Sequence, residues 1–146
     1  MNCIGIIAEY NPFHKGHEHQ LKELAKRYPD ALRLVVMSGS FVQRGEPALF
    51  DKFTRARWAL LNGAHAVIEL PTVYATANAE RFAAGGVRLL HRLGVRALAF
   101  GTETEDASLL QKIARLSLSS TVQTACREAL KKGEFLRYRF TPSYYY

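Results

Sequence analysis

Cys3-Ile-Gly-Ile-Ile-Ala-Glu-Tyr-Asn-Pro-Phe-His-Lys-Gly-His17 decides the fold class. Its first part, Cys3–Ala8, is a continuous apolar run rich in β-branched residues, the pattern of a strand buried on both faces. Its second part breaks that run with Pro12 and Gly16 and leads into His17–Tyr28. There Leu21, Leu24 and Ala25 share one side and Lys22, Glu23, Lys26 and Arg27 the other, as in an amphipathic helix. A buried strand that turns through a glycine into a helix is the opening unit of a parallel α/β sheet.

The pattern repeats outward from this unit. Pro29-Asp30 ends the helix, and Leu32–Met37 is a second apolar strand stopped by Ser38-Gly39-Ser40. A polar loop runs to about Pro47. Asp51 is a candidate N-cap for a helix reaching Leu61, closed by Asn62-Gly63. Ala66–Leu70 reads as a third strand ended by Pro71. Ala77–Leu93 reads as a long helix ended by Gly94, and Val95–Phe100 as a fourth strand. From Ala107 to Lys132 the spacing predicts two helices broken near Ser117–Ser120. Short apolar strands separated by helices predict a Rossmann-like, doubly wound parallel sheet covered on both faces, with ligands beyond the carboxyl ends of its strands.

Composition sets the outer bounds. The 146 residues suffice for one core without disulfide or metal support, and 48% apolar with 23% charged residues excludes disordered, collagen-like and coiled-coil chains. The apolar runs are too short to cross a bilayer, so no membrane association is expected. The N-terminus lacks a basic stretch ahead of an apolar one, and the expectation is a cytoplasmic protein without a signal peptide. Cys3 and Cys126 are the only cysteines and are expected as two buried free thiols. A net charge of +7 either serves solubility or favours polyanions: RNA, DNA, nucleotides or acidic lipid heads.

The turn between the first strand and first helix carries the chemistry. Backbone N–H groups and the helix dipole favour an anion there, and Gly16 lets the backbone approach a phosphate. Pro12 stiffens the turn. His14 and His17 can both donate to phosphate oxygens, and an imidazolium would stabilise charge growing on a transferred phosphoryl group. Two other readings stand beside this one. The histidines can be plain loop and first-turn residues, or they can hold a metal with Glu9, Glu18 or His19 as a third ligand.

The segment Asn-Pro-Phe-His-Lys-Gly-His resembles the His-x-Gly-His signature of the nucleotidyltransferase superfamily, whose members bind ATP or CTP and release pyrophosphate. Further blocks narrow the resemblance: Met37–Ala48, Asn62-Gly63-Ala64 with Val67–Pro71, Ala79–Ala83 and Phe100–Glu103. In this order, over about residues 2–105, they are similar to the bacterial tRNA(Met) cytidine acetate ligase family. The resemblance implies activation of acetate with ATP, aided by Mg²⁺, to acetyl-adenylate. The acetyl group then passes to N4 of the wobble cytidine of elongator tRNA(Met).

By the same resemblance, His14 and His17 would be catalytic. The nucleotide would be held by Ile7, Ala8, Glu9, Tyr10, Asn11, Pro12, Phe13, His14, Lys15, Gly16, His17, Glu18, His19 and Gln20, together with Gly101. No protein-held metal site is expected. Ser38, Gly39 and Arg44 lie on the loop after the second strand; Gly39 and Gly45 permit tight turns, and Arg44 offers a fork for phosphate or carboxylate unless it is simply solvated. With Arg44, the helix residues Lys52, Arg55 and Arg57 can form a basic face for tRNA backbone, or merely an exposed basic surface.

Other residues stay open. Glu69, at the end of the third strand, can orient substrate or a helix N-terminus. Asn78 can cap the long helix, whose Gly85-Gly86 pair is expected to allow close helix–sheet packing. Trp58 reads as core before it reads as a base-stacking platform. His65-Ala66, Thr102 and Ser40 depart mildly from the family pattern. The family's later Ser-Pro-Asn-type segment and its downstream arginine have no match in this chain. Ser119-Ser120-Thr121 resembles the Ser-Ser-Thr motif of cofactor adenylyltransferases, but Thr124 stands where their arginine would be. Residues 1–134 are expected as a nucleotidyltransferase-like ATP-binding domain. The tail 135–146 is expected as the end of a truncated or frame-shifted chain, or otherwise as a packing or RNA-stacking segment. The oligomeric state is not legible from these patterns.

Overall fold

The structure, a computed structural model, describes residues 2–102, 104 and 106–131, with the side chains of Arg44, Ala107 and Leu130 outside the description. The chain divides into two compact units, Met1–Gly101 and Thr102–Tyr146, where the sequence reading places one domain over 1–134. The tail expected over 135–146 lies outside the described residues.

The first unit is built on β1 (Cys3–Ala8), β2 (Leu32–Ser38), β3 (Ala66–Leu70) and β4 (Ala97–Leu98), all parallel, in the order β3-β2-β1-β4. Its helices are α1 (Lys15–Arg27), α2 (Lys52–Leu61), α3 (Thr72–Ala75) and α4 (Ala79–Arg92). Side chains alternate across the strands and so feed two cores. Ile6, Val35 and Met37 pack with Tyr10 and with Leu21, Ala59 and Ala64 beside α1 and α2. Ile7 and Val36 face the other way, toward Leu70, Ala75, Phe82, Leu90 and Val95. This is the doubly wound arrangement expected from the apolar runs.

The glycine pair in α4 sits where space is short. A Cβ on Gly86 would lie 2.7 Å from Ile7 Cδ1 of β1, so that position packs helix on sheet as expected. Gly85 meets α3 instead, with Tyr74 Cγ 2.5 Å from the position of an added Cβ.

Three boundaries differ from the sequence reading, each for a local reason. Helix α1 begins at Lys15 rather than His17, because the His14 side chain serves as its N-cap. The stretch expected as one helix from Ala77 is preceded by the separate turn α3, and Asn78 caps α4 by accepting from Arg81 N at 3.0 Å. The fourth strand is only Ala97–Leu98: Val95 N donates to Leu90 O at 3.0 Å, so its backbone closes α4 rather than joining the sheet. The thiols are half-buried rather than buried.

The second unit contains α5 (Ala107–Ser117) and α6 (Ser120–Lys131), separated at the expected break. Asp106 caps α5 by accepting from Ser108 N at 2.9 Å and Leu109 N at 3.0 Å. Among the described residues, no helix is long and apolar enough to cross a membrane.

Candidate functional site

The strand order places a crevice where the chain reverses direction across the sheet. From β1 the chain moves outward to β2 and β3, then returns to pair β4 with the opposite edge of β1. In open parallel sheets, ligands settle at that switch point, beyond the carboxyl ends of the strands. The loop after β1 borders it on one side. Gly101, just past β4, borders it on the other; it is exposed, and a Cβ there would meet nothing within 4 Å.

The loop after β1 is held by two histidines that cap each other's backbone. His14 Nδ1 accepts from Gly16 N at 3.1 Å, and His17 Nδ1 accepts from His14 N at 3.2 Å. Their rings stack with centroids 3.7 Å apart. Each Nδ1 faces a donor, so each neutral ring carries its proton on Nε2. Both Nε2–H groups are therefore left to donate elsewhere, since no described residue accepts from them. Gly16 serves this arrangement directly. A Cβ on it would lie 3.0 Å from His14 Cε1, so the glycine clears room for the folded-back ring.

Burial and the neighbouring His14 push the His17 imidazole down to about 4, from an ordinary 6.5. His17 is thus neutral near pH 7, and the expected imidazolium is corrected to a neutral N–H donor. Its ring rests edge-on against Tyr10, with centroids 4.7 Å apart, and Phe13 closes on Tyr10 at 4.9 Å. Tyr10 takes the left-handed backbone conformation, φ 49°, which L residues rarely adopt. Its buried ring offsets that strain by filling the core between the loop and α1. Burial also pushes its hydroxyl up to about 12. The Asn11–Pro12 peptide is cis.

The remaining loop and helix residues fall in three groups. Ile7 and Ala8 are half-buried in β1, and Pro12, Lys15 and His19 are exposed. Lys15 and Lys22 pair with Glu18 at 2.9 and 2.5 Å, and these bonds, Lys22's first, pull the carboxyl down to about 2. Gln20 follows His17 by one turn and shares its face, while His19 points away from that face.

The loop after β2 is tied to the loop after β1. Glu9 Oε1 accepts from Gln43 N at 2.7 Å, and Asn11 Oδ1 accepts from Leu49 N at 2.7 Å. These two ties were not legible in sequence, where nothing pairs positions 34 and 38 residues apart. Ser38 is fully buried, and neither its Oγ nor the Tyr10 hydroxyl has a hydrogen-bond partner among the described residues. Gly45 makes the expected turn, with φ 78°. Gly39 has a different reason: an added Cβ would collide with the carboxylate of Glu69. Glu69 in turn accepts from Lys52 Nζ at 2.6 Å, so it holds the first residue of α2 by its side chain.

The basic face expected from Arg44, Lys52, Arg55 and Arg57 does not assemble from all four. Arg57 is exposed and Lys52 is half-buried against Glu69. The side chain of Arg44 lies outside the described residues; its backbone is in the short turn Gln43–Gly45. Arg55 is corrected outright. It is fully buried and bonds to backbone carbonyls, so no nucleic acid can touch it. Periodicity places every helix cation outward by default, which hid this. Trp58 is half-buried, edge-on to Phe50 at 4.9 Å.

The rim offers an anion two Nε2–H donors, the positive end of α1 and the exposed Lys15. Among the described residues, no three His, Cys, Asp or Glu side chains gather to hold a metal ion.

Comparison with known proteins shows the family and the fold. The family described as HIGH Nucleotidyl Transferase matches residues 1–140. The tRNA(Met) cytidine acetate ligase of Fusobacterium nucleatum is 45% identical over 132 residues, covering 90% of this chain and 33% of that protein. The protein of the same name from Thermosipho africanus is 46% identical over 136 residues, covering 91% of this chain and 32% of the relative. The crystal structure of Thermotoga maritima TmcAL bound with alpha-thio ATP superposes with a TM-score of 0.76 at 43% identity, covering 91% of this chain and 33% of that one. The chain thus spans about a third of the length of the relatives it matches.

Proposed function

The chain belongs to the HIGH nucleotidyl transferase family, and from that premise we propose that its β1–α1 loop grips the triphosphate of ATP for the activation of acetate. The observation that carries this reading is the pair of stacked histidines whose Nδ1 atoms are both occupied, leaving two Nε2–H donors at the switch point of the sheet. The alpha-thio ATP bound by the Thermotoga maritima relative supports the choice of nucleotide. The names of the relatives support acetate and tRNA(Met) as the other substrates.

The proposed reaction runs in two displacements. An acetate oxygen attacks the α-phosphorus of ATP, the bond to the bridging oxygen breaks, and pyrophosphate leaves with the electron pair. The N4 amine of the wobble cytidine then attacks the acetyl carbonyl, gives up a proton, and expels AMP. His14 and His17 donate Nε2–H to phosphate oxygens on which charge grows in the first step. His17, held neutral by its burial, needs no proton uptake to do so. Lys15 and the α1 dipole add positive potential, and the open space at Gly101 admits the nucleoside. Ser38 and Gly39, expected as substrate residues, are both buried at the end of β2, so they shape the rim from behind and touch no substrate.

Mg²⁺ ordinarily arrives on the triphosphate, with most of its ligands supplied by phosphate and water. The described residues form no cage for it, and no step above runs through it. Of the expected basic face, exposed Arg57 is free to meet tRNA backbone, with Lys52 available when it leaves Glu69. A cytoplasmic setting belongs to this proposal.

Acetate-dependent exchange of labelled pyrophosphate into ATP tests it. The expected result is exchange that requires acetate and disappears in His14→Asn. Exchange that ignores acetate would contradict the choice of substrate. ATP binding without any exchange would make this chain a nucleotide-binding unit lacking turnover.

A further inference from the structure

Arg55 is the largest fully buried side chain in the described structure, and it sits on a helix whose pattern places it outside. Its guanidinium spends its donors on three backbone carbonyls from three separate segments. Nη1 donates to Glu9 O at 2.6 Å, in the loop after β1. Nη2 donates to Gly39 O, at the end of β2. Nε donates to Phe50 O at 2.9 Å, at the entry to α2. A buried cation is tolerated only where hydrogen bonds replace its water, and these three do so.

The segments joined are those that shape the rim. Glu9 is held twice, by its carbonyl to Arg55 and by its carboxylate to Gln43 N at 2.7 Å. The next residue is Tyr10, in its left-handed conformation, and its ring carries His17. Displacing Glu9 therefore displaces the platform on which the histidine pair stands. A planar fork with fixed donor angles suits three diverging carbonyls, whereas an ammonium is a point charge that cannot span them.

We infer that Arg55 is a positioning residue of the nucleotide site: it locks the β1–α1 loop to the end of β2 and so sets where the His14 and His17 donors stand. The inference rests on the nucleotide reading of that loop. It assigns Arg55 no contact with nucleotide or RNA.

The test uses Arg55→Lys in the full chain, with folding checked by circular dichroism. Two quantities are read: ATP affinity by calorimetry, and the titration of the His17 imidazole by NMR. In the native protein His17 titrates near 4, because it is packed against Tyr10 and beside His14. The expected result is a folded variant whose His17 titration moves up toward 6.5 and whose ATP affinity falls about tenfold or more. An unchanged His17 titration overturns the inference. So does a moved titration with intact ATP affinity, which would make the clamp irrelevant to the ligand.

If Arg55→Lys does not fold, Arg55→Gln is read the same way. Failure of both variants to fold overturns the inference, because Arg55 would then hold the fold rather than the site. If the native protein itself binds no ATP, the nucleotide reading fails, and the His17 titration alone decides whether Arg55 positions the loop.

Discussion

The rings of His14 and His17 stack 3.7 Å apart, and each accepts a backbone N–H through Nδ1, His14 from Gly16 and His17 from His14. One pair of side chains thus both starts helix α1 and keeps two Nε2–H donors that no described residue accepts from. Cap and chemistry share the same rings, but they use different nitrogens, so substitutions can separate them.

Asparagine at position 14 keeps an N-cap acceptor and removes the ring. His14→Asn should change stability by no more than about 0.5 kcal/mol, while His14→Ala should cost about 1 kcal/mol. Both should lower acetate-dependent turnover by about a hundredfold or more, since each loses one phosphate donor. Urea titration and the exchange assay read the two effects separately. Equal turnover in His14→Asn and the native protein would remove His14 from the site.

His17 links stability to pH. Its pKa is about 4 in the folded protein against 6.5 when unperturbed. Between those values the unfolded chain binds a proton that the folded one refuses, so stability falls as pH drops from 6.5 toward 4. Above pH 6.5 both forms are neutral and the contribution is fully present. His17→Gln should flatten this part of the profile, measured as the urea midpoint between pH 7 and pH 4.5. An identical slope in the variant would show that His17 is not held neutral by burial.

What could be read from sequence follows from how local its causes are. Cys3–Ala8 announces a doubly covered strand because every residue in it is apolar. Asp51 announces α2 because its carboxylate reaches Phe53 N and Thr54 N within the same turn, both at 2.9 Å. Gly63 and Gly94 announce helix ends because they take φ 108° and φ 79°. His14 and His17 were visible for the same reason, lying three apart around a glycine. Arg55 was not visible, because its partners lie 46, 16 and 5 residues away and only the assembled sheet brings them together. Gly39 read as a turn because the carboxylate that needs its space comes from Glu69 on another strand. The short β4 was missed because Val95 looks like a strand residue, whereas its amide closes α4.

Gly86→Ala sets helix propensity against packing. Alanine in a helix interior is favoured by about 1 kcal/mol over glycine. Here its Cβ would lie 2.7, 2.8 and 2.9 Å from three side-chain carbons of Ile7, a β-branched residue in a central strand. Packing should win, with a net loss of about 1–3 kcal/mol by thermal or urea unfolding. A stabilised variant would mean that α4 sits farther from β1.

The exposed cation on α2 bears on the RNA reading. Arg57→Ala should weaken tRNA binding at low salt and reduce the slope of log affinity against log salt by about one. Filter binding over a salt series measures it. A slope unchanged from the native protein would take Arg57 off the tRNA footprint.

The central claim is that ATP is held by the N–H groups left free when His14 and His17 cap α1. The most direct measurement is an ATP titration of the full chain, followed by the imidazole Nε2 resonances of both histidines. The account predicts that both resonances shift together and saturate with ATP, and that tripolyphosphate alone produces part of the shift. Saturable ATP binding that leaves both histidine resonances unmoved would contradict it.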